Sequence, residues 1–235
     1  MPEASCDACA AITGRIEQFV LRKMFGNLRT AFGMRTRRPK ERPSVLPLTL
    51  QMPDGSEETI DVPAERYPGM LSLFRLPPAR ALRGMPDDDS PVFGADQWTW
   101  HHAARGRELL DDDETAYVLE GTLNPTKFSQ MLAKIAHSFA VANLGLDGFY
   151  PMAVDLALGR TDHMNYLVGS QLNDMTNERS TTGAHRVRLR INEKYGMVLA
   201  EVRLFADLGA PMFHVLVGLM EGGQIADIVE RVPEG

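Results

Sequence analysis

Residues 185 to 219 read HRVRLRINEKYGMVLAEVRLFADLGAPMFHVLVGL, and this stretch decides the fold class of the chain. Its first seven residues alternate Val187, Leu189 and Ile191 with arginines, which is the pattern of a strand with one buried face. Residues 196–205 and 213–219 are more continuously apolar, as expected of central strands. The connecting segments are short, so the stretch predicts an antiparallel three-stranded meander.

A long helix is predicted upstream of the meander. Asn124 and Pro125 form a good helix start, because asparagine caps free backbone donors and proline fits the first turn. Apolar residues then recur at helical spacing as far as the expected end at Gly145: Phe128, Met131, Leu132, Ile135, Phe139 and Ala142. A second, short helix is expected over residues 151–158. A helix packed on an antiparallel meander places the chain in the α+β class.

The N-terminal part predicts a helix followed by a hairpin. Apolar residues recur every three or four positions from Ile12 to Phe32, which indicates a helix of about five turns that ends at Gly33. Residues 45–50 and 59–62 flank a Pro-Asp-Gly-Ser turn and predict the hairpin. Pro47 would place its strand at a sheet edge.

Between these two regions the chain is rich in proline, glycine and charge, so mostly irregular structure with short helices is expected. The sequence therefore predicts three segments. They are a helix and hairpin segment at 1–62, an irregular connection at 63–113, and an α+β region at 114–235.

The composition is ordinary for a globular protein, with 44% hydrophobic and 24% charged residues in a chain of 235. The net charge of -6 would repel nucleic acid and anionic membranes from the chain as a whole. No apolar stretch reaches membrane-spanning length, and the first residues lack the pattern of a signal peptide. A cytoplasmic protein without a membrane partner is the resulting expectation.

Positive charge is concentrated near the N-terminus. Residues 15–43 contain nine basic and two acidic side chains, so this segment carries +7 and the remainder -13. Such asymmetry indicates a surface that faces a polyanion. The candidate nucleic-acid contacts are Arg29, Arg35, Arg37, Arg38, Lys40 and Arg42. The alternative is a solvated loop whose arginines pair with the acidic runs at 87–89 and 111–114.

Cys6 and Cys9 are the two cysteines of the chain, and their spacing supports three interpretations. A Cys-x-x-Cys pair supplies two of the four ligands of a tetrahedral zinc site, so it is half a metal site. It could also be two inert thiols. A redox pair is the third interpretation, although no strand precedes Cys6 as it would in a thioredoxin-like unit.

Several segments together resemble the C-terminal portion of bacterial HNH-endonuclease-like proteins: residues 6–13 (CDACAAIT), Glu17, residues 24–26 (MFG), Arg29, residues 37–43 (RRPKERP), and the later segments 134–140 (KIAHSFA) and 202–206 (VRLFA). The resemblance implies that Cys6 and Cys9 are the second half of a zinc-binding motif. It also implies a DNA partner and an uncharacterised downstream region that spans most of the chain.

The chain departs from the family pattern in three ways. It has no upstream cysteine pair and no Glu-His-x-x-Pro segment, and Ala10 stands where the family tends to have asparagine. The catalytic histidine and the bound cation of an HNH nuclease therefore have no counterpart that can be assigned. Either the gene model starts too late or the chain is a degenerate or specialised descendant.

Histidines outside this segment give weaker signals. His101 and His102 follow Trp98 and Trp100, which are typical of core or interface anchors. With the acidic residues downstream, the two histidines could instead hold a cation or serve a hydrolase. His137, on the long helix, and His214, in the last strand, are interpreted as packing residues.

These observations leave two main hypotheses for function. The first is a truncated or degenerate HNH-type protein that associates with DNA through its basic segment, with zinc held in part by Cys6 and Cys9. The second is a non-enzymatic interaction or dimerisation module with inert thiols, for which a homo-oligomer is expected. Catalytic residues cannot be assigned from the sequence.

Overall fold

The computed structural model of the chain describes residues 6–35, 39–88, 96–110, 115–170 and 179–225. The α+β class is confirmed, with an N-terminal helix, antiparallel sheets, one long helix and a C-terminal strand meander. The residues cluster into two compact units, each discontinuous in sequence. The first unit comprises Met1–Glu17, Leu73–Trp98 and Asn124–Gly235, and the second comprises Gln18–Ser72 and Thr99–Leu123. The three-segment division at residues 62 and 113 stays a prediction.

The helices and strands follow in chain order. The α-helices are α1 (Asp7–Phe19), α2 (Gly26–Ala31), α3 (Ala103–Arg107), α4 (Pro125–Leu144), α5 (Val154–Ala157) and α6 (Met164–Leu167). The strands are β1 (Val45–Gln51), β2 (Glu57–Pro63), β3 (Met70–Arg75), β4 (Asp96–His101), β5 (Ala116–Val118), β6 (Tyr150–Pro151), β7 (Val168–Ser170), β8 (His185–Asn192), β9 (Met197–Leu204) and β10 (Phe213–Leu219). A π-helical turn covers Val20–Met24, and 3₁₀ turns cover Pro39–Glu41, Arg80–Leu82 and Ala206–Leu208.

The predicted meander forms the sheet of the first unit. Its strand order is β6-β10-β9-β8, and β7 also pairs with β10. All these pairs are antiparallel, and the register places Val187, Val202 and Phe213 side by side on one face. Phe128 of α4 packs against Phe213 with its ring centroid 5.1 Å away. The helix therefore covers this face, where burying each large apolar side chain contributes about 1.5–3 kcal/mol.

Helix α4 begins and ends where the sequence predicts. The Asn124 side chain accepts a hydrogen bond from the Lys127 backbone N–H at 2.8 Å, and Gly145 adopts a φ of +84° at the other end. Its buried stripe differs slightly from the prediction, since Ala142 is exposed whereas Ala136 and Ala140 are fully buried. Small alanine side chains allow the helix backbone to approach the sheet closely. None of the helices in the described ranges combines the length and apolar composition needed to span a membrane.

Strand β8 departs from the prediction at its end. Ile191, expected to face inward, is 42% exposed, and Val187 and Leu189 are only half-buried. The reason is that β8 is the last strand in the sheet order and pairs with β9 alone among the described strands. A strand with one neighbour leaves more of each side chain in water.

The predicted hairpin is present in the second unit. Strands β1 and β2 pair in register, and the Asp54 carboxylate accepts hydrogen bonds from the Ser56 N–H and hydroxyl at 2.8 and 2.6 Å. Strand β1 is central rather than peripheral, because the sheet order is β2-β1-β5. Pro47 is nevertheless compatible with this position, since β5 pairs only with Thr49, Leu50 and Gln51.

Residues 63–113 contain more regular structure than the sequence predicts. Strands β3 and β4 pair in a two-stranded sheet, and α3 follows directly after β4. The Ser72 and Thr99 hydroxyls share a hydrogen bond of 3.1 Å between these strands. The two strands were not predicted, because they pair across an intervening segment that is rich in proline and charge.

The N-terminal helix is not continuous. It changes to a π turn at Val20–Met24, where the Phe25 N–H bonds to the Val20 carbonyl at 3.0 Å, and it resumes as α2. A π turn holds more residues than an α turn, so the side chains that follow are rotated around the axis. Ala31 is therefore buried, and Phe32, predicted on the apolar face, is 37% exposed. Gly33 ends the helix as predicted, with a φ of +58°.

Candidate functional site

The two thiols lie together at the start of α1. Cys6 directly precedes the helix, because its carbonyl accepts the helical hydrogen bond of the Ala10 N–H at 2.9 Å. Cys9 lies in the first turn, and its N–H points to the Cys6 sulfur at 3.4 Å. The two sulfur atoms are 3.1 Å apart, and neither forms a disulfide. Cys6 is exposed and Cys9 is half-buried.

The environment differs between the two thiols. Two hydrogen bonds, one from the Cys9 backbone N–H and one with the Cys9 thiol, lower the pKa of Cys6, and the charge of Asp7 acts against them. The hydrogen bond with Cys6 raises the pKa of Cys9, as does its partial burial, whereas Arg160 acts in the opposite direction.

The cysteine pair provides two ligands of the predicted zinc site. With zinc–sulfur distances of about 2.3 Å, tetrahedral geometry separates two thiolates by about 3.8 Å, so these side chains would open by roughly 0.7 Å from their separation of 3.1 Å. No group of three or more His, Cys, Asp or Glu side chains suited to a metal ion occurs in the described ranges. Zinc at this position would require two ligands from elsewhere, and the zinc site stays a prediction.

The predicted nucleic-acid contacts belong to the second unit. Arg29 donates to the Leu21 carbonyl at 3.0 Å, and Arg42 donates to the Met34 carbonyl. Arg35 and Lys40 are exposed. Arg37 and Arg38 lie outside the described residues. The four described cations are therefore held by backbone carbonyls or face solvent, and none of them is ion-paired with a carboxylate within the described part of the chain.

The acidic runs at 87–89 and 111–114, which are the alternative partners of the basic segment, lie in part outside the described residues. This applies to Asp89 and to residues 111–114. In the first unit, Asp88 pairs with Arg80 at 2.7 Å and Asp87 with His163 at 3.0 Å.

The side chains of Trp100, His101 and His102 take part in ring packing and in capping α3. His102 accepts the Arg105 N–H at 3.3 Å and so caps α3, and the Trp100 ring packs against Phe32 at 5.6 Å. The Arg105 guanidinium lies over the Phe32 ring at 5.0 Å. His101 contacts Tyr117 edge-on at 6.3 Å. These contacts assemble no group of acid, base and nucleophile from the described side chains, so the hydrolase alternative gains no support here.

Glu201 of β9 is a buried carboxylate that no sequence pattern singled out. Glu201 of β9 is only 6% exposed, and it pairs with Arg190 of β8 while His214 of β10 lies 3.9 Å away. The available signal was a single acidic residue inside a continuously apolar strand. Its partners could not be identified before the register of three strands was known, and this arrangement serves to hold the strands together.

Comparison with known proteins adds no assignment: no family model, no curated protein and no solved structure matches the chain. The resemblance to HNH-endonuclease-like proteins thus rests on the sequence segments alone and stays a prediction.

Proposed function

We propose that this chain associates with nucleic acid through phosphate contacts made by the basic segment at residues 29–42. The observation that supports the proposal is the exposure of Arg35 and Lys40 on either side of Arg37 and Arg38, without a carboxylate partner in the described part of the chain. Positive charges that no carboxylate neutralises within the described part of the chain remain available to phosphates.

Arg29 and Arg42 strengthen this proposal in a different way. Each guanidinium uses N–H groups on a backbone carbonyl, which restricts the side chain without neutralising its charge. A guanidinium has five N–H donors, so those that remain can reach a phosphate oxygen from a restricted position. The segment thus combines two cationic side chains restrained by hydrogen bonds, Arg29 and Arg42, with the exposed side chains of Arg35 and Lys40.

The resemblance adds a zinc component to the proposal. Cys6 and Cys9 would supply two thiolates, and two further ligands would come from outside the described residues. Zinc bound in this way supplies structural cross-linking rather than chemistry. No cutting activity is proposed, since the chain contains no assignable counterpart of the catalytic histidine.

Binding to a duplex DNA of mixed sequence at several salt concentrations tests the phosphate contacts. For each neutralised phosphate, the slope of log K against log salt concentration steepens by about 0.9. We expect Arg35→Ala and Lys40→Ala each to reduce that slope by up to about 0.9. Arg188→Ala is a matched control, because it removes one exposed positive charge from β8 in the other unit.

Two results would contradict the proposal. One is wild-type affinity that does not weaken between about 50 and 200 mM salt. The other is a loss of slope in Arg188→Ala equal to that in Arg35→Ala, which would point to general charge instead of the basic segment. The zinc component is tested separately by the metal content of purified wild type and Cys6→Ser: stoichiometric zinc that is lost in the variant would support it, and folded wild type without metal would remove it.

A second candidate function, the interaction or dimerisation module, is favoured by one observation. Leu146, in the short loop after α4, and Tyr150, at the start of β6, are 75% and 73% exposed. Exposed apolar side chains mark a contact surface when they form a contiguous patch. Sedimentation should then show a wild-type oligomer that Leu146→Ser converts to monomer, and a wild-type monomer at micromolar concentration would remove this candidate.

A further inference from the structure

The thiol pair at the start of α1 has a geometry that allows a disulfide bond to form with little movement. Positions three apart at a helix start have Cα atoms about 5 Å apart, which lies within the range of about 4.4–6.8 Å that a disulfide bridges. The two sulfur atoms are already in contact at 3.1 Å. They need to move together by only about 1 Å to reach the S–S bond length.

The helix that carries the pair is anchored, so the two thiols keep this relationship. Ile16 and Thr13 of α1 are buried at 6% and 8% exposure. Glu17 forms an ion pair with Lys134 of α4, which is also part of the first unit. These contacts hold the first turn of α1 in place, with Cys6 exposed and Cys9 half-buried.

We propose that Cys6 and Cys9 form a reversible intramolecular disulfide by exchange with low-molecular-weight disulfides. The sulfur of Cys6, which a disulfide can reach from solvent, attacks one sulfur of R–S–S–R. One RS⁻ leaves, and a mixed disulfide remains on Cys6. The Cys9 sulfur then attacks the Cys6 sulfur, forms the internal bond and releases the second RS⁻.

The exchange balances without any further reactant. The two thiol protons of the protein end on the two released thiolates, which become two molecules of R–SH. The protein loses two electrons and the small disulfide gains them. Excess R–SH reverses both steps, so the state of the pair follows the thiol–disulfide ratio of its surroundings.

The described residues favour this use of the thiols over a complete metal site. A disulfide needs two cysteines, and two are present in contact, whereas zinc needs four ligands and, among the residues that the structure describes, only these two converge. The inference does not rest on nucleic-acid binding. It does compete with the zinc component, because sulfur atoms joined to each other are not thiolate ligands.

The experiment uses the full chain and glutathione as the probe. Reduced protein is equilibrated in a series of ratios of oxidised to reduced glutathione, quenched in acid and alkylated, and its intact mass is measured. We expect both alkylation sites to disappear together as the ratio rises, leaving a monomer lighter by two hydrogen atoms and without attached glutathione. Excess reduced glutathione should restore both sites.

Two variants separate the roles of the cysteines. Cys9→Ser should accumulate glutathione on Cys6, because the attack that releases it is lost. The double variant Ala8→Cys with Cys9→Ser keeps two thiols but places them two positions apart, where side chains on a helix do not face each other. It should collect glutathione instead of closing internally. Helicity measured by circular dichroism should be unchanged in both, since neither position packs in the core.

Four results would overturn the proposal. They are glutathione attached to the wild type as readily as to the double variant, a covalent dimer, no loss of alkylation sites at any ratio, and stoichiometric zinc that protects both thiols until a chelator removes it. DNA affinity, measured independently, distinguishes failure of this inference from failure of the proposed function.

Discussion

The hydroxyl of Ser170 joins strand β7 to the chain after β3. Ser170 is 2% exposed, and its Oγ accepts the Leu76 N–H at 2.7 Å and donates to the Leu76 carbonyl at 2.6 Å. Leu76 is itself 3% exposed. The Leu76 carbonyl also accepts a hydrogen bond from the Ser170 N–H at 3.3 Å. The Leu76 N–H has no other acceptor in the described ranges.

Replacing Ser170 by alanine should therefore leave one buried backbone N–H unsatisfied. Leaving such a donor without a partner destabilises a protein by about 1–3 kcal/mol. Because both residues are shielded from water, we expect the upper half of that range, about 2–3 kcal/mol. For a chain of this size the corresponding fall in Tm is about 4–12 °C.

Urea unfolding followed by circular dichroism measures this change, and Ser129→Ala is a matched control. Ser129 is fully buried as well, but among the described residues its hydroxyl bonds only to the Met164 sulfur at 3.4 Å, which is a weak acceptor. Alanine also has the better helix propensity, so this control should change stability by less than about 1 kcal/mol. If Ser170→Ala destabilises the protein no more than Ser129→Ala, the reasoning about the unsatisfied N–H is refuted.

Three further predictions concern α4. Phe128 is 1% exposed, and its ring packs on Phe213. Phe128→Ala should therefore destabilise the protein by about 3–5 kcal/mol in urea unfolding, and a loss below about 1 kcal/mol would contradict the packing described. Asn124→Ala removes the helix cap and should lower the unfolding free energy by about 1 kcal/mol, whereas Asn124→Ser should restore most of it. Burial lowers the pKa of His137, so the unfolded chain binds this proton more tightly than the folded one. Stability should be complete above the ordinary histidine pKa and decrease as the pH falls toward the folded value, and His137→Leu should flatten that part of the pH profile. An unchanged profile in His137→Leu would assign the pH dependence to other groups.

The elements that sequence reasoning predicted well are those whose signals are local. The presence of strand β8, the capped start of α4 and the Pro-Asp-Gly-Ser turn each depend on neighbours in the chain, and the structure confirms all three, although Ile191 of β8 is exposed. Strands β3 and β4 were missed because their pairing joins segments separated by an intervening stretch. Strands β6 and β7 span two and three residues, which is too short for any period to appear.

The candidate site was predictable in its residues but not in its geometry. The spacing of Cys6 and Cys9 identifies a pair of thiols, yet the apolar pattern indicates a helix only from Ile12 onward. The structure begins α1 at Asp7, and this places Cys9 in the first turn with its sulfur against Cys6. The influence of Arg160 on Cys9 comes from a residue far along the chain, so no local pattern could reveal it.

The discontinuity of the first unit has a consequence for biosynthesis. Glu17 of α1 and its partner Lys134 are separated by 117 positions, so the ribosome adds those residues over roughly 6–23 s before the contact can form. During that interval the N-terminal thiols emerge on a nascent chain whose supporting helix and sheet do not yet exist. Their oxidation state when α1 docks therefore depends on how fast they oxidise compared with how fast the later residues are synthesised. A chaperone that binds the early segment would change the time available for oxidation.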